Sequence, residues 1–118
     1  MSRKWALRAG IVGAAMMATG CGGGGPEVTV IMSDTGFEPN RFTIYQREKS
    51  VLVLQNTGAV EHNLLIRELN LSSGIIAPGK TGRLDIVPLK GPLKFVCTIP
   101  GHEEAGMIGE IVVEPKKR

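Results

Sequence analysis

A chain of 118 residues, 42% of them apolar and 4% aromatic, has enough apolar content for the core of one small domain, and one domain is the expectation. Its formal net charge of +3 comes from 14 basic against 11 acidic residues, but three of the basic ones lie in the first 20 residues, and the rest of the chain balances at 11 against 11. A neutral domain with a short basic tail gives no electrostatic footprint for nucleic acid, so nucleic-acid binding is set aside.

The chain opens with Arg3, Lys4 and Arg8 ahead of a small, apolar run from Ala9 to Ala18. That is the layout of an export signal, so residues 1–20 are excluded from the fold. The run ends in ATGC, Ala18 to Cys21, which resembles the lipobox of bacterial lipoproteins with alanine in place of the usual leucine. The resemblance implies that Cys21 becomes lipidated and N-terminal after cleavage. SRKWALR at 2–8 is also similar to a twin-arginine signal with Lys4 at the second arginine, so two export routes stay open. Residues 21–26 then form a tether, because four consecutive glycines before Pro26 lose too much backbone entropy to hold secondary structure. Attached to lipid, it would keep the domain within roughly 10–15 Å of a membrane surface. The expected location is periplasmic or otherwise extracytoplasmic.

From Glu27 to Pro115 the chain is made of short, β-branched segments: EVTVIM at 27–32, RFTIY at 41–45, SVLVLQN at 50–56, HNLLIREL at 62–69, GRLDIV at 82–87, LKFVC at 93–97 and MIGEIVVE at 107–114. Turn punctuation separates them, as at Asn56-Thr57-Gly58, Pro78-Gly79-Lys80 and Gly91-Pro92. No segment keeps a helical period. Seven to eight strands in a domain of this size predict an all-β, antiparallel β-sandwich. Both faces of 51–54 are apolar, which predicts a central strand, and Phe37, Phe42, Tyr45 and Phe95 are the expected large core residues. Residues 116–118 read as a basic tail.

The chemistry concentrates in CTIPGHEEAGM, residues 97–107, where Cys97, His102 and Met107 recur every five residues between two predicted strands. Pro100, Gly101 and Gly106 set the turns of the loop. His62, the other histidine, follows the turn-rich NTGAVE stretch and is expected at the same end of the sandwich. A thiolate, two imidazoles and a thioether around one centre form the trigonal set with a weak axial methionine that suits copper cycling between two oxidation states. Taken singly, Cys97 reads as a small packed hydrophobe and each histidine as a hydrogen-bonder. A Cys97–His102 nucleophile pair finds no third orienting residue, and two histidines leave none for a second, catalytic copper, so the expectation is a protein that is not an enzyme.

These residues carry a resemblance. EHN at 61–63 and CTIPGHEEAGMIGEIVV at 97–113 are similar to the ligand segments of cupredoxins, the small blue-copper proteins of the plastocyanin, azurin and auracyanin kind. The resemblance covers Glu27 to Glu114 and implies a Greek-key sandwich, one mononuclear type 1 copper site with His62, Cys97, His102 and Met107 as ligands, and Asn63 supporting the cysteine sulfur and the ligand loops. It also implies electron exit at the edge of His102, within an apolar patch of Pro100, Gly101, Ala105 and Ile108. Expected partners are c-type cytochromes, quinol-oxidising complexes or terminal oxidases, met by a monomer. The alternative is a copper chaperone or copper-resistance module. Glu103 and Glu104 beside His102 are expected either to steer a basic partner or simply to be solvated.

Overall fold

The computed structural model describes residues 25–116, so the leader, Cys21 and the end of the basic tail lie outside the described residues. Nine strands are present among them: β1 (Glu27–Ser33), β2 (Gly36–Glu38), β3 (Arg41–Tyr45), β4 (Ser50–Asn56), β5 (Leu65–Ile66), β6 (Leu71–Ser72), β7 (Thr81–Ile86), β8 (Leu93–Val96) and β9 (Ile108–Glu114). They form one sheet in the order β2-β1-β4-β7 and a second in the order β3-β9-β8-β5-β6. Residues from both sheets share one buried core, with Met32, Leu52, Leu54 and Ile86 from the first facing Ile44, Ile66, Phe95 and Ile111 from the second. The β-sandwich is the expected one, and β4 is central between β1 and β7 as the two-faced apolar run requires.

The sheets are mixed rather than antiparallel. β1 runs parallel to β4, with Val30 opposite Leu54, and β3 runs parallel to β9, with Phe42 opposite Ile111. Alternation along a strand has the same period of two in either direction, so periodicity cannot report strand polarity. Polarity is set instead by the connections: after β2 the chain crosses to the other sheet as β3 before returning as β4, the long path that parallel neighbours need.

The segment 62–69, expected as one strand, contributes only Leu65 and Ile66 to a ladder. His62, Asn63 and Leu64 are all buried, at 0%, 6% and 0% exposure, but His62 pairs only through an isolated bridge to Ile76 and the segment joins a ladder only at Leu65. After Ile66 the chain tightens into a 3-10 turn at Arg67–Leu69, closed by Asn70 in the left-handed region. β2 and β6, of three and two residues, carry no period long enough to read.

Of the four expected core aromatics, Phe37 and Phe95 are buried, whereas Phe42 packs half-buried against the core and Tyr45 is half-buried. Phe95 is the centre of the group: its ring lies 4.9 Å from that of Phe37, edge-on, and 5.7 Å from that of Phe42. Opposite Phe95 on β9 stands Gly109, and a Cβ there would overlap the Phe95 ring, so the bare backbone is what admits it.

Pro26 accepts a hydrogen bond from the amide of Val51, which starts β1 at one end of the sandwich. β1 then runs to Ser33, and the turn at 34–35 that follows it meets residues 57–62 at the other end, where Met32 accepts from the amide of Thr57. That second end carries the chemistry.

Candidate metal centre

His62 arrives on the connection between β4 and β5 and is fixed by backbone before its side chain is used. It forms an isolated antiparallel bridge with Ile76, donating at 3.2 Å and accepting at 2.8 Å. Asn56, buried at the end of β4, builds the approach to it: Nδ2 donates to the carbonyls of Val60 (2.9 Å) and Ile76 (2.8 Å), and Oδ1 accepts from the amide of Gly58 (2.8 Å). A buried amide with all these groups satisfied holds a loop in one shape.

Cys97 leaves β8 with its amide bonded to the carbonyl of Met107 (3.2 Å), so the ladder continues one step past the strand. Between them the chain winds tightly, with the amide of His102 on Ile99 (2.9 Å) and the amide of Met107 on the carbonyl of His102 (3.1 Å). His62, Cys97 and His102 come together from two loops, their donor atoms all within 4.8 Å of one another. Cys97 Sγ lies 3.4 Å from His102 Nδ1 and 3.8 Å from His62 Nδ1, and the two imidazole rings are tilted by 52° with centroids 5.0 Å apart. Met107 is buried where the loop rejoins β9.

The spacing can be tested against a metal. Nitrogen at about 2.0–2.1 Å and sulfur at about 2.3 Å from a first-row ion stand roughly 3.5–3.8 Å apart when the angle between them is tetrahedral to trigonal. Of the observed sulfur-to-nitrogen distances, 3.8 Å falls at the upper end of that range and 3.4 Å just below its lower end, so the three donors stand close to the spacing a bound ion would need. The donor set, one thiol sulfur and two imidazoles with a thioether on the same loop, is the one that soft, one-electron copper takes.

The side chain of Asn63 bonds to Thr98, next to Cys97, rather than to a donor atom. Its Nδ2 donates to Thr98 Oγ1 (2.8 Å) and its Oδ1 accepts from the Thr98 amide (2.7 Å), tying the segment after His62 to the residue after Cys97. Asn63→Ala leaves the Thr98 amide without its acceptor and is expected to cost about 1–3 kcal/mol in urea unfolding of the metal-free protein.

Two further residues bear on the site with no signal in the motif. Asp34, in the turn after β1, accepts from His62 Nε2 at Oδ1 (2.9 Å) and from the Ala59 amide at Oδ2 (2.8 Å). The Ala59 amide first, and the His62 ring second, hold its carboxyl below the usual range. Arg67 makes a two-pronged bridge to Glu103 (2.9 and 3.2 Å), whose carboxyl that guanidinium also holds low. Glu103 and Glu104 therefore differ: Glu103 braces the ligand loop against the 3-10 turn, and Glu104 is exposed. Locally, SDTG at 33–36 and REL at 67–69 read only as a turn and a strand end, and their use depends on long-range placement.

Comparison with known proteins places this geometry. The family model for the cupredoxin-like domain matches residues 8–113. The copper-resistant cuproprotein CopI of Rubrivivax gelatinosus is 32% identical over 107 aligned positions, covering 73% of this chain, and the chain spans 65% of that relative's length. A dithionite-reduced auracyanin from the photosynthetic bacterium Roseiflexus castenholzii superposes with a TM-score of 0.67 at 18% identity, covering 77% of this chain and 98% of that one. Auracyanin A, a "blue" copper protein from Chloroflexus aurantiacus, gives 0.59 at 21% identity over 74% of this chain and 98% of that one. At those identities the auracyanins speak for the fold.

Proposed function

The chain belongs to the cupredoxin-like family, and from that premise we propose that it carries single electrons between redox partners outside the cytoplasm, through one type 1 copper site made by His62, Cys97, His102 and Met107. The observation behind this reading is the graded burial of the four residues. His62 and Cys97 are 0% exposed and Met107 1%, whereas His102 is half-buried and alone offers an edge to a partner. When bound, copper supplies a one-electron couple between Cu(I) and Cu(II). The chain's own contribution is to hold two imidazoles and a thiol in one arrangement, to keep water from three of the four donors, and to brace both loops through Asn63–Thr98 and Arg67–Glu103. With four protein donors assigned to the ion, this reading leaves no open coordination position of the kind a catalytic metal centre keeps.

Exposed Pro100, Gly101, Ala105 and Ile108 supply an apolar surface on the same loop and the start of β9. Such a surface suits small, short-lived contacts with c-type cytochromes, quinol-oxidising complexes or terminal oxidases. With Glu103 engaged by Arg67, any charge steering next to His102 falls to Glu104. No helix of the described residues is long and apolar enough to cross a membrane, and membrane attachment in this reading rests on acylation of Cys21.

A copper-handling role is the second reading, favoured by the name of the Rubrivivax relative, copper-resistant cuproprotein. Against it stands the methionine inventory: of the two among the described residues, Met32 lies within β1, and only Met107 stands at the end of the loop that carries Cys97 and His102. The deciding measurement is an oxidised-minus-reduced visible and electron paramagnetic resonance spectrum of the copper-loaded protein, with a Cu(I) chelator challenge. A carrier gives an intense visible thiolate-to-copper band, cycles reversibly and keeps its metal. A colourless protein that releases Cu(I) readily sinks the carrier reading.

Replacing Met107 with glutamine should leave copper bound and lower the reduction potential, because an oxygen donor favours Cu(II) over Cu(I). Voltammetry showing an unchanged potential would mean that Met107 is not axial.

A further inference from the structure

The two imidazoles of the site are not equivalent. His62 is 0% exposed, so its outward ring nitrogen has no water to bond and needs a protein partner. Asp34 Oδ1 is that partner at 2.9 Å. An ionised carboxylate can only accept, so the hydrogen sits on Nε2 and the lone pair on Nδ1, the nitrogen 3.8 Å from Cys97 Sγ. Among the described residues no carboxylate bonds the ring of His102.

The carboxylate is itself fixed. Its second oxygen, Oδ2, takes the Ala59 amide at 2.8 Å, so one oxygen is committed to the loop and the other to the ring. Gly58 makes room for this: a Cβ there would overlap Asp34 Oδ1 and stand 3.1 Å from His62 Nε2. The side chain of Asp34 keeps 44% exposure, which spares the charge most of the cost of burial.

We propose that Asp34 is a positioning residue for the metal centre, one that locks His62 with Nδ1 bare toward the metal and, as a negative charge behind that ring, strengthens the imidazole as a donor to Cu(II). The proposal rests on the copper reading given above. Carboxylates behind metal-bound histidines typically change metal affinity by 10–100-fold when removed, by fixing the tautomer and raising the basicity of the ring. Here the effect falls on one oxidation state more than the other, because the added electron density favours the higher charge.

Two measurements test it, one of which needs no metal. Long-range proton–nitrogen correlation of the metal-free wild-type protein at pH 8 should show His62 protonated at Nε2 and bare at Nδ1, and the opposite tautomer would overturn the proposal whatever colour the copper form has. In the copper-loaded protein, Asp34→Asn keeps the shape and removes the charge. Cu(II) affinity should fall about tenfold more than Cu(I) affinity, which raises the reduction potential by about 59 mV. Gly58→Ala, which occupies the place of the Asp34 oxygen, should move the potential the same way. If Asp34 only held the 57–61 loop, both oxidation states would weaken alike, and a potential that stays put in Asp34→Asn would refute the assignment. Should the wild type show the expected tautomer yet bind no copper, the copper reading fails and the Asp34–His62 geometry stands.

Discussion

Cys97→Ser is expected to abolish the visible absorption of the copper-loaded protein while leaving the sandwich folded. The band requires a thiolate, and a serine hydroxyl neither ionises at neutral pH nor offers soft electron density to Cu(II). Folding should survive because the change is nearly isosteric, the backbone bond from residue 97 to Met107 is untouched, and a small shift brings the new hydroxyl to His102 Nδ1, at present 3.4 Å from the sulfur. The buried hydroxyl is thereby spared the penalty of an unpaired polar group. Visible absorption read against far-ultraviolet circular dichroism separates the two effects, and a band that persists would remove Cys97 from the site.

The largest expected loss of stability is at Phe95→Ala, about 3–5 kcal/mol for an aromatic removed from a closed core. Phe95 is 0% exposed, packs its ring against Phe37 and Phe42, and lies over Gly109, so β2, β3 and β9 lose contact with β8 at once. The cavity has little means of collapsing, because β8 is held by β5 on one side and β9 on the other. Chemical denaturation of the metal-free protein measures the loss without the added stability of a bound ion. A cost under about 1 kcal/mol would mean that the aromatic group is not the keystone its geometry suggests. The substitution should also loosen the site, since Cys97 is two residues beyond Phe95 on the same chain segment.

The sandwich was readable in outline because its long strands are β-branched runs of one buried face, as β7 shows with Leu84 and Ile86 inward and Arg83 and Asp85 outward. Strand direction was not readable, since β1 beside β4 and β3 beside β9 have the same alternation they would have if antiparallel. At the site, Cys97, His102 and Met107 are legible because one short loop carries all three, and His62 because it is the sole remaining histidine. Asp34 is different: it precedes His62 by 28 positions in a stretch that locally spells a turn, and only the parallel pairing of β1 with β4 brings it to the ring. Glu103 likewise looked like half of an acidic pair until Arg67, itself displaced from a predicted strand into a 3-10 turn, was placed beside it.

The direction of β1 has a consequence for how the molecule would stand on a surface. Its seven residues rise about 23 Å at strand geometry, from Glu27 at one pole to the turn beside His62 at the other. Whatever precedes Glu27 therefore joins the domain at the pole remote from His102. A short leash fastened there would present the redox pole outward like a lamp on a post, free to swing among soluble carriers, and a partner embedded in the same membrane would be reached only by tilting the whole sandwich over.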